Sequence, residues 1–335
     1  MNRPLLAITL GDPAGVGPEV IVKALTHAIV YEQSRPLVIG DQRILARALA
    51  WTGVTLDFDV VSEPAQGQYQ PGTITLLDLQ NADPAAIPPG QMNPAAGRAA
   101  VEYVFRACDM TLAGATDAVV TAPLNKEAMN LAGYHYAGHT ELLTDRTGAE
   151  RVSMLLTSPQ LRIVHVSTHV ALDEAIRRVT QQRVEEVIDL AQSSCQALGI
   201  AAPRIAIAGL NPHASEGGLF GDQEEREILP AIQRARARGL NVTDPQPPDT
   251  VFLRAVKGHY DIVVAMYHDQ GHIPMKLLAF DSGVNVSIGL PIIRTSVDHG
   301  TAFDIAGTGK ASEESMLEAI KVAVQMAHAK SQLRY

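Results

Sequence analysis

The sequence predicts an α/β protein whose sheet is largely parallel. Short apolar, β-rich runs alternate along the chain with segments of helical periodicity, and such alternation is typical of layered α/β folds. The chain has 335 residues, which is too long for one simple core and predicts two domains of ordinary size.

The predicted strands cover residues 5–10, 36–39, 73–77, 118–120, 161–167, 204–208, 261–266 and 283–288. The predicted helices cover residues 17–29, 42–50, 93–113, 182–198, 222–238, 249–256 and 313–330. Gly17 and Pro18 begin the first helix, where proline suits the first turn. Asn93 followed by Pro94 is a start signal for the long amphipathic helix 93–113.

Two joins rich in glycine and proline, near residues 133–138 and 289–300, mark the expected domain crossings. We therefore expect one α/β domain to contain residues 1–135 and 300–335. The second α/β domain would contain residues 136–299, with the metal ligands and the dimer interface described below.

Composition narrows the class of protein. Hydrophobic residues make up 46% and charged residues 19% of the chain, which is typical of a soluble globular protein, and no run of about 18 apolar residues predicts a membrane span. The short apolar stretch at the N-terminus is read as a first strand and not as a signal peptide. Cys108 and Cys195 show no disulfide spacing, which favours a reducing cytoplasm. A net charge of −9 without a basic stripe argues against nucleic acid.

Three histidines follow three strand-like runs. His169, His213 and His268 each come just after an apolar segment and within two residues of threonine, asparagine or aspartate. Since α/β sheets bind ligands outside the carboxyl ends of their strands, these imidazoles form a candidate site for a divalent metal. His165 is expected to be a hydrogen-bonded core residue, and His272 to lie near the metal or the substrate. The alternative interpretation is three unrelated loop histidines.

Several segments have features of anion binding. The loop from Gly11 to Glu19 is rich in glycine and opens a helix, although it lacks the dinucleotide fingerprint and also fits a plain tight turn. His139 and Thr140 stand at a predicted helix start. Lys126 follows a strand, and anion binding, proton transfer and a solvated lysine remain open for it. Polar or cationic side chains within apolar runs also indicate an anionic substrate pocket: Lys276, Asn285 and Arg294.

The motifs together resemble the 4-hydroxythreonine-4-phosphate dehydrogenase family over nearly the whole chain. The matching segments, in order, are GDPAGVGPE, TAPLNKEA, GHTELL, STH, GLNPHASEGG, PPDT, AMYHDQGHIPMKLL and GVNVSIGLPIIRTSVDHGTAFDIAGTGKA. The resemblance implies a two-domain fold similar to that of isocitrate and isopropylmalate dehydrogenases. The active site would lie in the interdomain cleft at the interface of a homodimer.

The resemblance also assigns residues. It implies metal ligands at His169, His213 and His268, one of them from the partner subunit. It implies substrate contacts at His139, Thr140, Lys276, Asn285 and Arg294. In the related dehydrogenases the segment that matches residues 298–311 holds the adenosine of the dinucleotide, and we assign cofactor contacts to Gly11, Asp12, His299, Gly300, Asp304 and Ile305. Lys310 is the single lysine or arginine in residues 298–311, which favours NAD over NADP, although NADP remains possible.

The expected reaction is oxidation of the C3 hydroxyl of a four-carbon hydroxy-acid phosphorylated at C4, with Zn, Mg, Co or Mn as Lewis acid. The β-keto product would lose CO2. Lys126, Asp249 and a metal-bound water are the candidates for the base. The substrate is 4-phosphooxy-L-threonine, giving 3-amino-2-oxopropyl phosphate, or 4-phospho-D-threonate or 4-phospho-D-erythronate, giving dihydroxyacetone phosphate. The motifs look closer to the branch that acts on the two phosphorylated sugar acids.

Three alternatives stand beside this one. A branch of the family oxidises unphosphorylated cis-dihydrodiol carboxylates, but it tends to lose the phosphate-pocket residues that this chain keeps. A metallohydrolase would also use three histidines and a water. A catalytically silent metabolite-binding protein is disfavoured because the three histidines and the 298–311 motif are all present.

Overall fold

A computed structural model describes residues 3–280 and 282–332. The strands, in chain order, are β1 (Leu5–Thr9), β2 (Arg35–Gly40), β3 (Asp57–Val60), β4 (Thr73–Asp78), β5 (Ala118–Thr121), β6 (Ser153–Thr157), β7 (Arg162–His165), β8 (Ile205–Ala208), β9 (Val242–Gln246), β10 (Ile262–Ala265), β11 (Val284–Ile288) and β12 (Arg294–Val297).

The α-helices, in the same order, are α1 (Gly17–Ala24), α2 (Ala28–Gln33), α3 (Gln42–Thr52), α4 (Pro94–Leu112), α5 (Lys126–Leu131), α6 (His139–Thr147), α7 (Leu172–Arg178), α8 (Gln181–Ala197), α9 (Leu229–Ala237), α10 (Val251–Val256), α11 (His268–Ala279) and α12 (Glu314–Gln332). Short 3₁₀ turns cover Pro64–Gln66 and Pro212–Glu216, and one π-helical turn covers Glu224–Ile228.

The chain divides into two compact units. The first contains the described residues up to Glu150 together with Leu290–Ser331, and the second contains Arg151–Gly289. These boundaries differ from the crossings expected after residues 135 and 299. As a consequence His139, Thr140 and Arg294, which we expected in the second domain, belong to the first unit.

The first unit has a parallel sheet with the strand order β3-β4-β2-β1-β5-β12. All residues of β1 and β5 are buried, as expected for central strands of a parallel sheet that is covered on both faces. Helix α4 packs against β1, β2 and β5. Its first turn is capped by Asn93, whose side chain accepts a hydrogen bond from the N–H of Ala95 at 2.8 Å.

The second unit has a mixed sheet with the strand order β11-β6-β7-β10-β8-β9. The pairs β11–β6 and β6–β7 are antiparallel, whereas β7–β10, β10–β8 and β8–β9 are parallel. Because β7, β10 and β8 are parallel neighbours, their carboxyl ends lie at one edge of the sheet. The segments with His169, His268 and His213 leave the sheet at this edge.

Three differences from the predicted elements have local causes. The predicted helix 17–29 is two helices in the structure. Helix α1 ends at Ala24, where the N–H of the C-cap residue Leu25 donates to the Ile21 and Lys23 carbonyls, and the extended backbone of His27 separates it from α2. The predicted helix 222–238 begins with the π-helical turn. Short or half-polar elements were not predicted as strands or helices: β3, β6, β9, β12, α5, α7 and α11. Within residues 3–280 and 282–332, no helix is long and apolar enough to cross a membrane.

Candidate active site

Arg294 is a buried cation at the start of β12. Only 2% of the residue is exposed, and its guanidinium donates hydrogen bonds to the Thr121 hydroxyl from Nη2 at 2.7 Å and from Nε at 3.2 Å. Burial lowers the pKa of Arg294 to about 9, and the charge of Glu141 opposes that shift. A guanidinium that burial has stripped of water is a strong binding partner for an anion.

His139 is the first residue of α6 and lies close to this cation. Its Nε2 atom is buried and has no hydrogen-bond partner among the described residues, although the residue as a whole is half-buried. Burial, then the charges of Arg294 and Lys126, hold the pKa of His139 well below its ordinary value. His139 is therefore a neutral imidazole at the N-terminus of α6, where the first backbone N–H groups favour negative charge.

Lys126 is the first residue of α5 and is exposed. The preceding Asn125 caps this helix, accepting a hydrogen bond from the Ala128 N–H at 2.8 Å. Lys126 lies against Gly138, which precedes α6: a Cβ atom at Gly138 would be in ordinary van der Waals contact with Lys126 Cε, at 3.7 Å. The aliphatic end of Lys126 thus reaches the start of α6, where Thr140 follows His139.

The turn after β1 is tight and contains a buried carboxylate. Gly11 has a φ of +72°, and a Cβ there would lie 2.4 Å from the Pro123 carbonyl oxygen. Asp12 is fully buried, and burial raises its pKa to about 6 against the opposing effect of the Ala14 and Asn125 N–H groups. Asp12 Oδ2 is buried and has no hydrogen-bond partner within residues 3–280 and 282–332.

The segment 298–311 is a succession of turns. His299, Gly300 and Asp304 are exposed, and Ile305 is half-buried. The segment contacts the turn after β1, because the Val16 N–H donates to the Thr301 carbonyl at 3.0 Å. All six predicted cofactor residues therefore belong to two adjoining loops of the first unit.

Two of the three predicted metal ligands approach each other in the second unit. The ring centroids of His169 and His268 are 5.5 Å apart, and both line a cavity of about 490 Å³. His268 Nδ1 contacts Asp269 Oδ1 at 2.7 Å. His272 stacks on His268 with 3.6 Å between the centroids. His165 is fully buried, as expected, and burial followed by the charge of His272 lowers its pKa to about 3.

His213 lies on a loop with unusual backbone angles. Residues 213–216 all have positive φ, with 54° at His213, and the ring of His213 lies 6.3 Å from that of Phe220. In the described part of the chain, no three or more His, Cys, Asp or Glu side chains are grouped so that they could hold a metal ion. His213 is therefore not grouped with His169 and His268 among the described residues.

The remaining predicted residues also lie in the second unit. Lys276, on α11, has its Nζ 5.4 Å from the Phe280 ring centroid. Asn285, on β11, has a buried Oδ1 without a hydrogen-bond partner among the described residues. Asp249 is exposed and lines a cavity of about 510 Å³ together with Phe252, Leu253, Ile273 and Leu277.

Two residues that the sequence did not single out hold the histidine segments in place. Gln270 is buried; it accepts from the Met266 N–H at 2.6 Å and donates to the Gly209 carbonyl at 2.7 Å, which ties the ends of β10 and β8 together. Glu224 is buried and accepts from the Asn211 backbone N–H at 2.7 Å. The signal available in the sequence was a polar residue at a fixed offset from a candidate ligand, which is weak by itself.

Comparison with known proteins adds independent findings. The model of the family described as pyridoxal phosphate biosynthetic protein PdxA matches residues 32–323. A D-threonate 4-phosphate dehydrogenase from Cupriavidus necator is 50% identical over 325 residues, 97% of each chain. A 4-hydroxythreonine-4-phosphate dehydrogenase from Desulfosudis oleivorans is 49% identical over 328 residues, covering 97% of this chain and 96% of that protein.

Solved structures agree with these sequence comparisons. The crystal structure of 4-hydroxythreonine-4-phosphate dehydrogenase from Klebsiella pneumoniae superposes with a TM-score of 0.89 at 46% identity. The match covers 97% of this chain and 100% of that one.

Proposed function

Because this chain belongs to the PdxA family, as the sequence predicted, we propose that it oxidises D-threonate 4-phosphate with NAD and a divalent metal. Its relatives are dehydrogenases of phosphorylated hydroxy-acids, and this chain is an oxidoreductase of the same kind. The C3 carbon would give up a hydride to bound NAD, the C3 hydroxyl would lose its proton to the protein, and the resulting β-keto acid would lose CO2 to leave dihydroxyacetone phosphate. Phosphorylated 4-hydroxythreonine is the second candidate substrate, because a relative of nearly equal identity is named for it.

The observation that carries this proposal is the positive charge of Arg294 and Lys126 around His139 in the first unit. Arg294 is buried, the pKa of His139 is depressed by burial and by Arg294 and Lys126, and α6 begins at the same point. A phosphate dianion would relieve the desolvated guanidinium and accept hydrogen bonds from the first N–H groups of α6. Thr140 would donate its hydroxyl. Lys276 and Asn285, in the other unit, remain predicted substrate contacts.

The donor chemistry of the second unit fits a divalent metal. His169 and His268 bring two imidazoles together, and Asp269 holds His268 Nδ1, which leaves Nε2 for a ligand. We propose His213 as the third ligand. When bound, the metal would supply Lewis-acid polarisation of the substrate hydroxyl.

The loops of the first unit fit a dinucleotide. We propose that residues 298–311 hold the adenosine, with the exposed Asp304 carboxylate accepting from a ribose hydroxyl and His299, Gly300 and Ile305 beside it. Gly11 lets the backbone of the first turn come close to the cofactor. Asp12, buried in that turn with a raised pKa, would orient it. The single lysine or arginine of the segment, Lys310, favours NAD over NADP.

Two residues are candidates for moving the substrate proton. Lys126 is exposed beside His139 in the first unit, and Asp249 is an exposed carboxylate in the second. The pH profile of kcat separates them: replacement of the true base by Lys126→Met or Asp249→Asn abolishes the limb of the profile that its ionisation controls.

We also propose a cytoplasmic homodimer. Helix α11 and the residue that follows it expose a row of large apolar side chains, with Leu277 82%, Phe280 71% and Ile273 58% exposed. Exposed apolar rows of this kind are typical of protein interfaces. Cys108 and Cys195 are both buried free thiols, which fits a reducing compartment.

A substrate panel tests the proposal. Purified enzyme with NAD and a divalent metal is assayed for NADH formation with D-threonate 4-phosphate, D-erythronate 4-phosphate, phosphorylated 4-hydroxythreonine, unphosphorylated D-threonate and a cis-dihydrodiol carboxylate. We expect the largest kcat/KM with D-threonate 4-phosphate and at least a hundredfold loss without the phosphate, on the order of 3 kcal/mol. Equal rates with and without the phosphate would refute the phosphate assignment. A preference for the cis-dihydrodiol carboxylate would assign the chain to the branch that oxidises such unphosphorylated compounds.

A further inference from the structure

Glu19 is a fully buried carboxylate that binds a distant loop of its own unit. It stands in the first turn of α1. Its Oε1 accepts a hydrogen bond from the Gly307 N–H at 2.5 Å, and its Oε2 accepts one from the Gly309 N–H at 2.6 Å. Hydrogen bonds to an ionised acceptor are short and about twice as strong as neutral ones. The carboxylate therefore fixes two points of the 298–311 segment at once.

Two further hydrogen bonds join the start and the body of α1 to this segment. Glu19 and Lys23 are four residues apart and lie on one side of α1, and Val16 immediately precedes the helix. The Val16 N–H donates to the Thr301 carbonyl at 3.0 Å, and Lys23 Nζ donates to the Ala311 carbonyl at 2.6 Å. Helix α1 and the residue before it thus anchor the beginning, the turn and the end of the segment.

The turn at residues 307–309 is shaped to receive an anion. Gly307 and Gly309 have φ values of +83° and +71°, and a Cβ at Gly309 would lie 2.5 Å from the Trp51 carbonyl oxygen. Turns of this kind point their N–H groups into a shared concavity that binds negative charge. Glu19 supplies that charge from within the chain, so the turn does not depend on a ligand for its shape.

We infer that Glu19 is a positioning residue for cofactor binding: it preorganises the 298–311 segment so that Asp304 and Ile305 are presented to the dinucleotide. This inference rests on the proposed function, in which that segment holds the adenosine. Glu19 itself faces the backbone of the loop, so its effect on the cofactor is indirect. Without the two hydrogen bonds to Glu19, cofactor binding must also order the loop, and this free-energy cost weakens the affinity for the cofactor.

The test compares Glu19→Gln with Glu313→Gln. An amide offers one acceptor and turns its NH2 toward the second loop N–H, so Glu19→Gln leaves one of the two N–H groups without an acceptor. Glu313→Gln also removes one negative charge near the end of the segment, but it alters a half-exposed contact with His27. Glu19→Asp keeps the charge, shortens the reach and should give a smaller effect than Glu19→Gln.

Two measurements are made on each full-length variant. Hydrogen exchange without cofactor should be about tenfold faster across residues 301–311 in Glu19→Gln and unchanged in Glu313→Gln. The Kd for NAD, measured by calorimetry, should rise about tenfold in Glu19→Gln, while the Kd for D-threonate 4-phosphate stays within about twofold. If exchange at 301–311 is unaltered in both Glu19 variants, or if both Kd values rise together, the positioning role is wrong.

The failure of the proposed function gives a different pattern. If NAD binds wild-type protein without slowing exchange at 301–311, the segment is not the adenosine site and the link to the cofactor is overturned. Faster exchange in Glu19→Gln would then still establish that Glu19 orders the loop, without a role in cofactor binding.

Discussion

The guanidinium of Arg294 donates two hydrogen bonds, at 2.7 and 3.2 Å, to the hydroxyl of Thr121 on the neighbouring strand. Thr121 ends β5, and Arg294 begins β12, which pairs with β5 in parallel. A neutral hydroxyl orients the fork of the guanidinium without neutralising its charge. The arrangement gives the first unit a fixed cation beside the start of α6.

Replacing this cation should impair substrate binding far more than folding. Arg294→Ala is expected to raise KM for D-threonate 4-phosphate by one to three orders of magnitude, on the order of 1.4 kcal/mol for each factor of ten. Since burial already disfavours the charged form and lowers the pKa to about 9, the melting temperature should fall little. Arg146→Ala, which breaks an ion pair with Asp109 between half-exposed side chains, is the matched control. A collapse of stability with normal KM would make Arg294 a structural residue.

Removing the metal, or one of its ligands, should abolish turnover. Chelation is expected to stop NADH formation, and Mg, Mn, Co or Zn should restore it. His213 has a φ of 54°, so His213→Asn is preferred to alanine because asparagine tolerates the left-handed region. We expect this variant to remain folded and to lose bound metal by elemental analysis, whereas exposed His259→Asn retains it. Full activity after complete chelation would contradict the metal site.

Asp12 should make the stability of the protein depend on pH. Burial raises its pKa from 3.8 to about 6. Below about pH 3 the carboxyl is protonated in both states. As pH rises from there to about 6 the unfolded state ionises first, so the folded state loses stability. Asp12→Asn removes this cost and should be more stable at pH 8 by up to about 3 kcal/mol, with no difference below about pH 3. Urea unfolding across this range measures it, and a difference independent of pH would refute the cause.

The exposed row on and just after α11 should hold two copies of the chain together. Leu277→Asp places a charge on a side chain that is 82% exposed in the single chain, where it cannot disturb the core. Light scattering after gel filtration is expected to show a monomer for this variant and a dimer for the wild type. Leu131→Asp, at an apolar side chain 58% exposed in the first unit, should remain dimeric. A dimeric Leu277→Asp would place the interface elsewhere.

The sequence by itself determined the family and most of the regular elements. The buried strands β1, β2, β5, β8 and β10 and the long helices α4, α8 and α12 have strong local signals: continuous apolar runs, helical periodicity or a capping asparagine. Such signals arise within a few residues, so they can be read without knowing the neighbours. The order of motifs over nearly the whole chain predicted the family, and the comparisons confirm it.

Only the tertiary structure decided which of these residues meet. Strand β12, with the sequence RTSV, is polar enough to resemble a loop. Every residue of it is nevertheless buried in the folded chain, where it pairs with β5. The charge of Arg294 lowers the pKa of His139, although the two residues are far apart in sequence. Glu19 likewise accepts hydrogen bonds from the distant Gly307 and Gly309. Burial, pKa shifts and buried carboxylates such as Asp12 depend on what packs around a residue, and local periodicity contains no information about that.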